Sequence, residues 1–218
     1  IIVIEHRRDM LLPSVAMEIF IKNGRVARAI EARECFGVIG ESGTTSNSLL
    51  LEFDKMCFSW DEKPLLEDIS FEIRPGESVV LLGDNGSGKT TLLRVIAAVL
   101  KSYRGDVLID SVSIYRDNAV KKVIGYMPAD IGLLHRLTLY DNLRLFAELL
   151  GYRKDYVEER LEVLRKYIQV DDILHMKTGT MSTGQKVRAG LIRTLIHDPK
   201  ILILDEPTRG LDTVFANS

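Results

Sequence analysis

Along this chain the spacing of apolar and polar positions changes several times, and each change predicts an element. Val79-Val-Leu-Leu82 is an unbroken apolar run, short enough for a strand buried on both faces. Leu92, Leu93, Ile96, Val99 and Leu100 follow at helical spacing. Upstream, Leu51 to Trp60 and Leu66 to Ile73 read as two strands, the second alternating Ile69, Phe71 and Ile73 against Ser70 and Glu72; Pro75-Gly76-Glu77 turns into the apolar run. Downstream, Gly105–Asp110 and Val123–Met127 read as strands, and Pro128 ends the second. Thr138-Leu-Tyr-Asp141 is a capping-box-like start to a stripe of Leu139, Leu143, Phe146 and Leu150, which Gly151 closes. Val157, Leu161, Leu164 and Ile168 form the face of a second helix, and Val187, Leu191 and Leu195 that of a third. Pro199 stops the third helix, and Ile201-Leu-Ile-Leu204 suits a central parallel strand.

Strands alternating with helices predict an α/β fold: a mostly parallel sheet, an N-terminal antiparallel β part, and a helical subdomain inserted over about 129–190. The hydrophobic content is 46%, the net charge is −2 and the chain has 218 residues, enough for one domain with a sizeable core or one domain plus a subdomain. No basic excess points to nucleic acid, and no apolar run approaches the roughly 18 residues of a membrane span. Cys35 and Cys57 are isolated, with no C-x-x-C spacing and no signal peptide ahead of them, which suits a reducing, cytoplasmic setting. The start at Ile1 rather than Met suggests a fragment.

The chemistry concentrates behind the Val79–Leu82 run. Gly83-Asp84-Asn85-Gly86-Ser87-Gly88-Lys89-Thr90-Thr91 fits G-x-x-x-x-G-K-T between a strand and a helix. Unpaired amides at the helix start can wrap a polyphosphate; Lys89 would reach its β/γ-phosphates, and the Thr90 hydroxyl would hold Mg²⁺. The plain alternative is a glycine-rich turn that happens to carry Lys-Thr. Trp60 stands where the first strand turns, suited either to stacking on an adenine or to capping the core beside Phe58. Met181-Ser182-Thr183-Gly184-Gln185 opens a helix on a good N-cap; it is a helix start, or a second anion site built from the Ser182 hydroxyl, the Gly184 amide and the helix dipole. Asp205 and Glu206 emerge together from the C-terminal end of the apolar Ile201 strand, where open α/β sheets place their ligands.

Residues 1–50 are the least readable. Glu34 to Leu50 echoes Glu77 to Leu93, but Thr45 and Ser46 stand in place of Gly88 and Lys89, so the echo lacks the phosphate lysine. It is either the remnant of an upstream copy in a tandem protein or a chance strand and turn.

The loop at Gly83–Thr90, Met181-Ser-Thr-Gly-Gln185 and Ile201-Leu-Ile-Leu-Asp-Glu206, in that order, resemble the Walker A, signature and Walker B motifs of the ABC ATPase family, over about residues 51–218. The run from Leu195 to Asp212 is similar to the branch containing drug, sodium and polysaccharide exporters. The resemblance implies a P-loop NTPase core that binds ATP with Mg²⁺. It places Trp60 at the adenine-stacking position, Glu206 as general base, Asp205 in the Mg²⁺ shell and Asp212 in a loop that talks across a dimer. The signature residues Ser182, Gly184 and Gln185 would then serve the nucleotide of a partner copy. The implied protein is the ATPase subunit of a transporter, peripheral on the inner face of the cell membrane. Its partners would be an integral membrane permease subunit and a second copy of itself or a homologous ATPase subunit. Two positions depart from the family: Ala129 stands where Gln or an acidic residue is usual, with Asp130 next to it, and the switch histidine expected a few tens of residues beyond Asp212 lies past Ser218. These departures support a rival reading, a module that binds nucleotide with little hydrolysis. The other rival is a soluble, tandem ABC protein working on ribosomes or DNA; no basic stripe or coiled-coil insertion supports its DNA-repair form.

Overall fold

The computed structural model describes residues 2–4, 17–31, 50–102, 104–116 and 119–207. The chain forms two compact units, Ile1–Val120 and Lys121–Ser218.

In the first unit every side chain of one strand is buried. Short strands β1 (Ile2–Ile4), β2 (Met17–Lys22) and β3 (Arg25–Glu31) come from the segment whose pattern was least readable. Strands β4 (Leu51–Trp60), β5 (Lys63–Ile69) and β6 (Glu72–Ile73) follow, then β7 (Val79–Leu82), the fully buried one. Strand β1 pairs with β7 in parallel, Ile2 opposite Val79 and Ile4 opposite Leu81. Strand β2 also pairs with β7 in parallel, Met17 opposite Val79 and Phe20 opposite Leu82, while β3 returns antiparallel to β2. The side chains of β7 are buried on both faces of the sheet, which is why its apolar run does not alternate. The turn between β2 and β3 is Asn23-Gly24, both at positive φ (50° and 73°), as a two-residue hairpin of matching twist requires.

Strand β4 is the spine of a second, five-stranded sheet ordered β5–β4–β8–β9, where β8 is Arg104–Ile109 and β9 is Val112–Ser113, with β6 also on β4. The single strand expected over Leu66–Ile73 is two pieces. Strand β5 pairs with the far half of β4 and β6 with its start, and the chain crosses between them at Ser70-Phe71. There the Ser70 hydroxyl accepts the Lys55 amide at 3.1 Å, replacing a ladder bond. Helix α1 (Lys89–Ile96) buries Leu92, Leu93 and Ile96 as their spacing predicts. It stops before Val99: Ala98 turns left-handed (φ 53°), and Val99 is 62% exposed rather than on the buried face.

One-turn helix α2 (Val120–Val123) starts on the last residue of the first unit, and in the second β10 (Ile124–Met127) pairs in parallel with β11 (Ile201–Asp205). Helix α3 (Leu139–Leu149) starts on a Thr138 cap, whose hydroxyl accepts the Asp141 amide at 3.1 Å, as its sequence predicts. Helix α4 is Tyr156–Leu164, and α5 is Thr183–Leu195. Leu139, Leu143, Ala147, Val157, Leu161 and Leu164 close one core with Ala189, Ile192 and Ile196. Leu191 and Leu195, expected on the inner face of α5, are half-buried instead. The deep face carries Ala189 and Gly190, because the helix approaches its neighbours closely: a Cβ on Gly190 would sit 2.4 Å from Ile131 Cγ2.

Candidate functional site

The site in the first unit grows directly out of β7. Gly83 follows the strand at φ 147°, and a Cβ there would lie 2.2 Å from the Ile21 carbonyl oxygen, so no other residue fits without shifting backbone. Asp84, Asn85 and Gly86 then bow out into solvent, and the Ser87 amide closes the bow on the Asp84 carbonyl at 3.2 Å. Gly88, the N-cap of α1 at φ 103°, caps it with no side chain, and a Cβ there would meet Leu66 Cδ2 at 2.6 Å. The first-turn amides of α1 are therefore not taken by a capping side chain, and the positive end of the helix faces the loop.

Lys89 is buried at the first position of α1, and its ammonium folds back into the loop. Nζ donates to the Gly83 carbonyl at 2.7 Å and the Asp84 carbonyl at 2.9 Å. The loop thus wraps a fixed positive charge. Ser87 Oγ is buried within it with no hydrogen-bond partner, an unmet polar atom of the kind that marks a ligand contact. Thr90 and Thr91 are half-buried in the first turn. A ring of amides, one cation, an orphaned hydroxyl and the Thr90 hydroxyl fit a polyphosphate with its metal. Trp60 ends β4, before the left-handed pair Asp61 (φ 42°) and Glu62 (φ 65°). Its indole is 48% exposed and forms a T-shaped pair with buried Phe58, with centroids 5.1 Å apart.

In the second unit the remaining predicted residues divide between α5 and β11. Ser182 caps α5 with a full capping box: Ser182 Oγ accepts the Gln185 amide at 3.3 Å, and Gln185 Oε1 accepts the Ser182 amide at 2.9 Å. Ser182, Thr183 and Gly184 are exposed. The helix-start reading is thereby correct, and the hydroxyl hydrogen of Ser182 is not the atom that makes the cap. Asp205, 1% exposed, ends β11, and Glu206 follows at φ 51°, a left-handed backbone uncommon for a residue other than Gly, Asn or Asp. Strand β11 is buried on one face and half-buried at Leu202 and Leu204, short of the double burial its apolar run suggested.

Ala129 and Asp130 occupy the turn after β10, where the Ile131 amide donates to the Pro128 carbonyl at 2.8 Å. Nearby, burial lowers the Arg193 pKa, an effect that the Asp130 charge opposes. His197 is buried: Nε2 lies 3.0 Å from the Ile124 carbonyl, Nδ1 has no partner, and burial followed by the Arg193 charge lowers its pKa. The echo at Glu34 to Leu50 falls outside the described residues apart from Leu50, and Asp212 lies outside them altogether. Sequence reasoning missed the contribution of residues 17–24, which back the loop through Ile21, although Asn23-Gly24 between two alternating runs is a strong hairpin signal.

The family model described as ABC transporter matches residues 66–209. The ABC transporter ATP-binding protein NatA of Bacillus subtilis is 38% identical over 154 residues, covering 70% of this chain and 63% of its own. A putative ABC transporter ATP-binding protein of Clostridium tetani is 32% identical over 202 residues, 90% of this chain and 44% of its own. Among solved structures, cbiO1 from Clostridium perfringens, described as part of the ABC transporter complex cbiONQ, superposes with a TM-score of 0.63 at 27% identity, over 75% of this chain and 67% of that one. This chain therefore spans between about two fifths and two thirds of these proteins' lengths. Its fold is that of the P-loop ABC ATPases, and the chain belongs to the ABC transporter family of ATP-binding proteins.

Proposed function

We propose that this chain is the nucleotide-binding part of an ABC transporter, binding and hydrolysing MgATP to drive a separate membrane subunit. Among the described residues no helix is long and apolar enough to cross a membrane. The observation that carries the reading is the Lys89 ammonium, held inside the glycine loop by two of the loop's own carbonyls. A cation fixed at a helix N-terminus, ringed by amides, is complementary to phosphate and to little else.

In this reading Lys89 and the amides of residues 84–91 bind the β- and γ-phosphates, and the half-exposed Trp60 stacks on the adenine. Thr90 and Asp205 order Mg²⁺, which when bound neutralises charge on the transferred phosphoryl group. Glu206 takes the proton of the attacking water as general base. Ser182, Gly184 and Gln185 serve the nucleotide of a second ATPase copy. The similarity of cbiO1, a part of a larger transporter complex, supports the membrane partner.

Lys89→Ala removes a charged hydrogen-bond donor, a loss of about 1.5–3 kcal/mol or roughly tenfold to a hundredfold in affinity. Isothermal titration with MgATP should show that loss while circular dichroism shows the free protein still folded. Ser46→Ala, in the echo without a lysine, should change neither. Unaltered affinity in Lys89→Ala would remove the phosphate-loop assignment.

A further inference from the structure

A parallel strand pair is specified by its register and by the side chains it buries, not by which strand comes first in the chain. Strand β7 takes a parallel neighbour on each side, and both come from residues 1–31. The contact is a built one. Ile2, Ile19 and Ile21 are buried, the Met17 amide donates to the Ser78 carbonyl at 3.2 Å, and the Glu67 amide donates to the Gly24 carbonyl at 2.8 Å. Arg25 is paired with Glu67, and the Ile21 carbonyl is packed behind Gly83. A segment attached at random would not meet both flanks of the phosphate-loop strand in register.

The composition of the segment adds a second observation. Ile1-Ile-Val-Ile-Glu5-His6 has the design of Ile201-Leu-Ile-Leu-Asp205-Glu206: four apolar residues, then two that can carry charge or exchange protons. The chain leaves β1 at the edge of the sheet where Gly83 opens the loop, because β1 is parallel to β7. Glu5 and His6 follow in sequence and lie outside the described residues. A third observation comes from the Clostridium tetani protein: its match takes in 90% of this chain, so it reaches into residues 1–50, and it fills only 44% of that protein's length.

We infer that residues 1–31 are the closing strands of a nucleotide-binding unit of this same type, the C-terminal segment of an upstream copy in a tandem chain. Strand β7 accepts them because its two flanks are shaped for such a segment. The inference rests on the nucleotide-binding reading of residues 51–207, and the partner it names is a second copy of the unit.

A circular permutant tests it, with residues 32–218 first, a flexible Gly/Ser linker of about 20 residues, and residues 1–31 last. The permuted chain should fold with a thermal midpoint within a few degrees of the original and bind MgATP within about threefold of its affinity. A permutant that is unfolded, or folded without MgATP binding, would show that the pairing depends on chain order and would overturn the inference. Lys89→Ala in both orders separates the two readings: if it leaves binding intact in the original order, the nucleotide assignment has failed and not this one. The longer protein gives an independent check. A few tens of residues past Ser218 there should be an apolar run leading to a histidine and then a glycine hairpin, and a G-x-x-x-x-G-K-[ST] loop should precede Ile1. Absence of either would also overturn the inference.

Discussion

Gly83 and Gly86 lie in one loop, yet they carry opposite constraints. A Cβ on Gly83 would enter the Ile21 carbonyl at 2.2 Å and crowd Ser87 Oγ at 2.9 Å, whereas nothing lies within 4 Å of one on Gly86. Gly86→Ala therefore costs only the strain of its left-handed backbone (φ 80°), on the order of 1 kcal/mol. Gly83→Ala adds an overlap with backbone that cannot move aside, about 1–3 kcal/mol more, and pushes the loop off the strand that supports it. Thermal unfolding should rank the two variants in that order, and nucleotide affinity should fall further for Gly83→Ala; equal midpoints would mean that Ile21 does not back the loop. Sequence made the glycines legible as a motif, because the spacing G-x-x-x-x-G-K-T carries its own context. It could not say which glycine is held by a neighbour, since Ile21 is sixty-two positions away and reaches Gly83 only through the β2–β7 ladder. The left-handed Glu206 was equally invisible, because nothing local in Leu-Asp-Glu-Pro demands it.

Among the elements, those with one strong period were legible and those that share a partner were not. Strand β11 and helix α3 follow from their own residues, an apolar run in one case and a cap with a stripe in the other. The break after Ile69 does not, because it is set by β4 having to pair with two pieces, and the deep face of α5 depends on how closely Gly190 lets it approach Ile131. The end of α5 also holds a titrating group. His197 Nε2 is bonded to the Ile124 carbonyl, so Nε2 carries the hydrogen and buried Nδ1 is bare. A second proton would have to enter a site walled by Phe146 and facing Arg193 and Arg160; the Ile124 carbonyl bond and the Asp198 charge oppose the lowering but do not outweigh burial. The folded pKa is therefore below the ordinary 6.5. A depressed histidine leaves stability complete above the unfolded value; as pH falls from there toward the folded value, the unfolded chain takes up a proton that the folded one refuses. Urea unfolding should show stability level from pH 8 to 7 and falling below about 6.5, by no more than about 1.4 kcal/mol per pH unit from this group. His197→Phe should flatten that fall relative to the parent, and an unchanged slope would place the titration elsewhere.

At the scale of the whole molecule, the question is what an exposed helix start can do once its own cap is satisfied. Ser182 uses a lone pair to accept the Gln185 amide, and its hydroxyl hydrogen is still available to donate. Gly184 is exposed in the first turn of α5, at the positive end of the helix. Capping and phosphate binding are therefore compatible at one serine, and if the phosphate belongs to a nucleotide on another copy, ATP becomes the joint between two chains. Glu206→Gln should keep MgATP bound while removing the base, so the joint persists. Light scattering should then report a dimer with MgATP and a monomer with MgADP, because ADP lacks the phosphate that both chains would share. Ser182→Asp on that background separates the two roles. Aspartate is as good an N-cap as serine, so α5 should keep its stability, but it offers a negative charge and no hydrogen where the phosphate would sit. The doubly substituted protein should unfold at the same temperature and stay monomeric with MgATP. A dimer that survives Ser182→Asp would mean that Ser182 is a helix cap alone, and a Glu206→Gln protein that never dimerises would remove the two-copy mechanism for this chain.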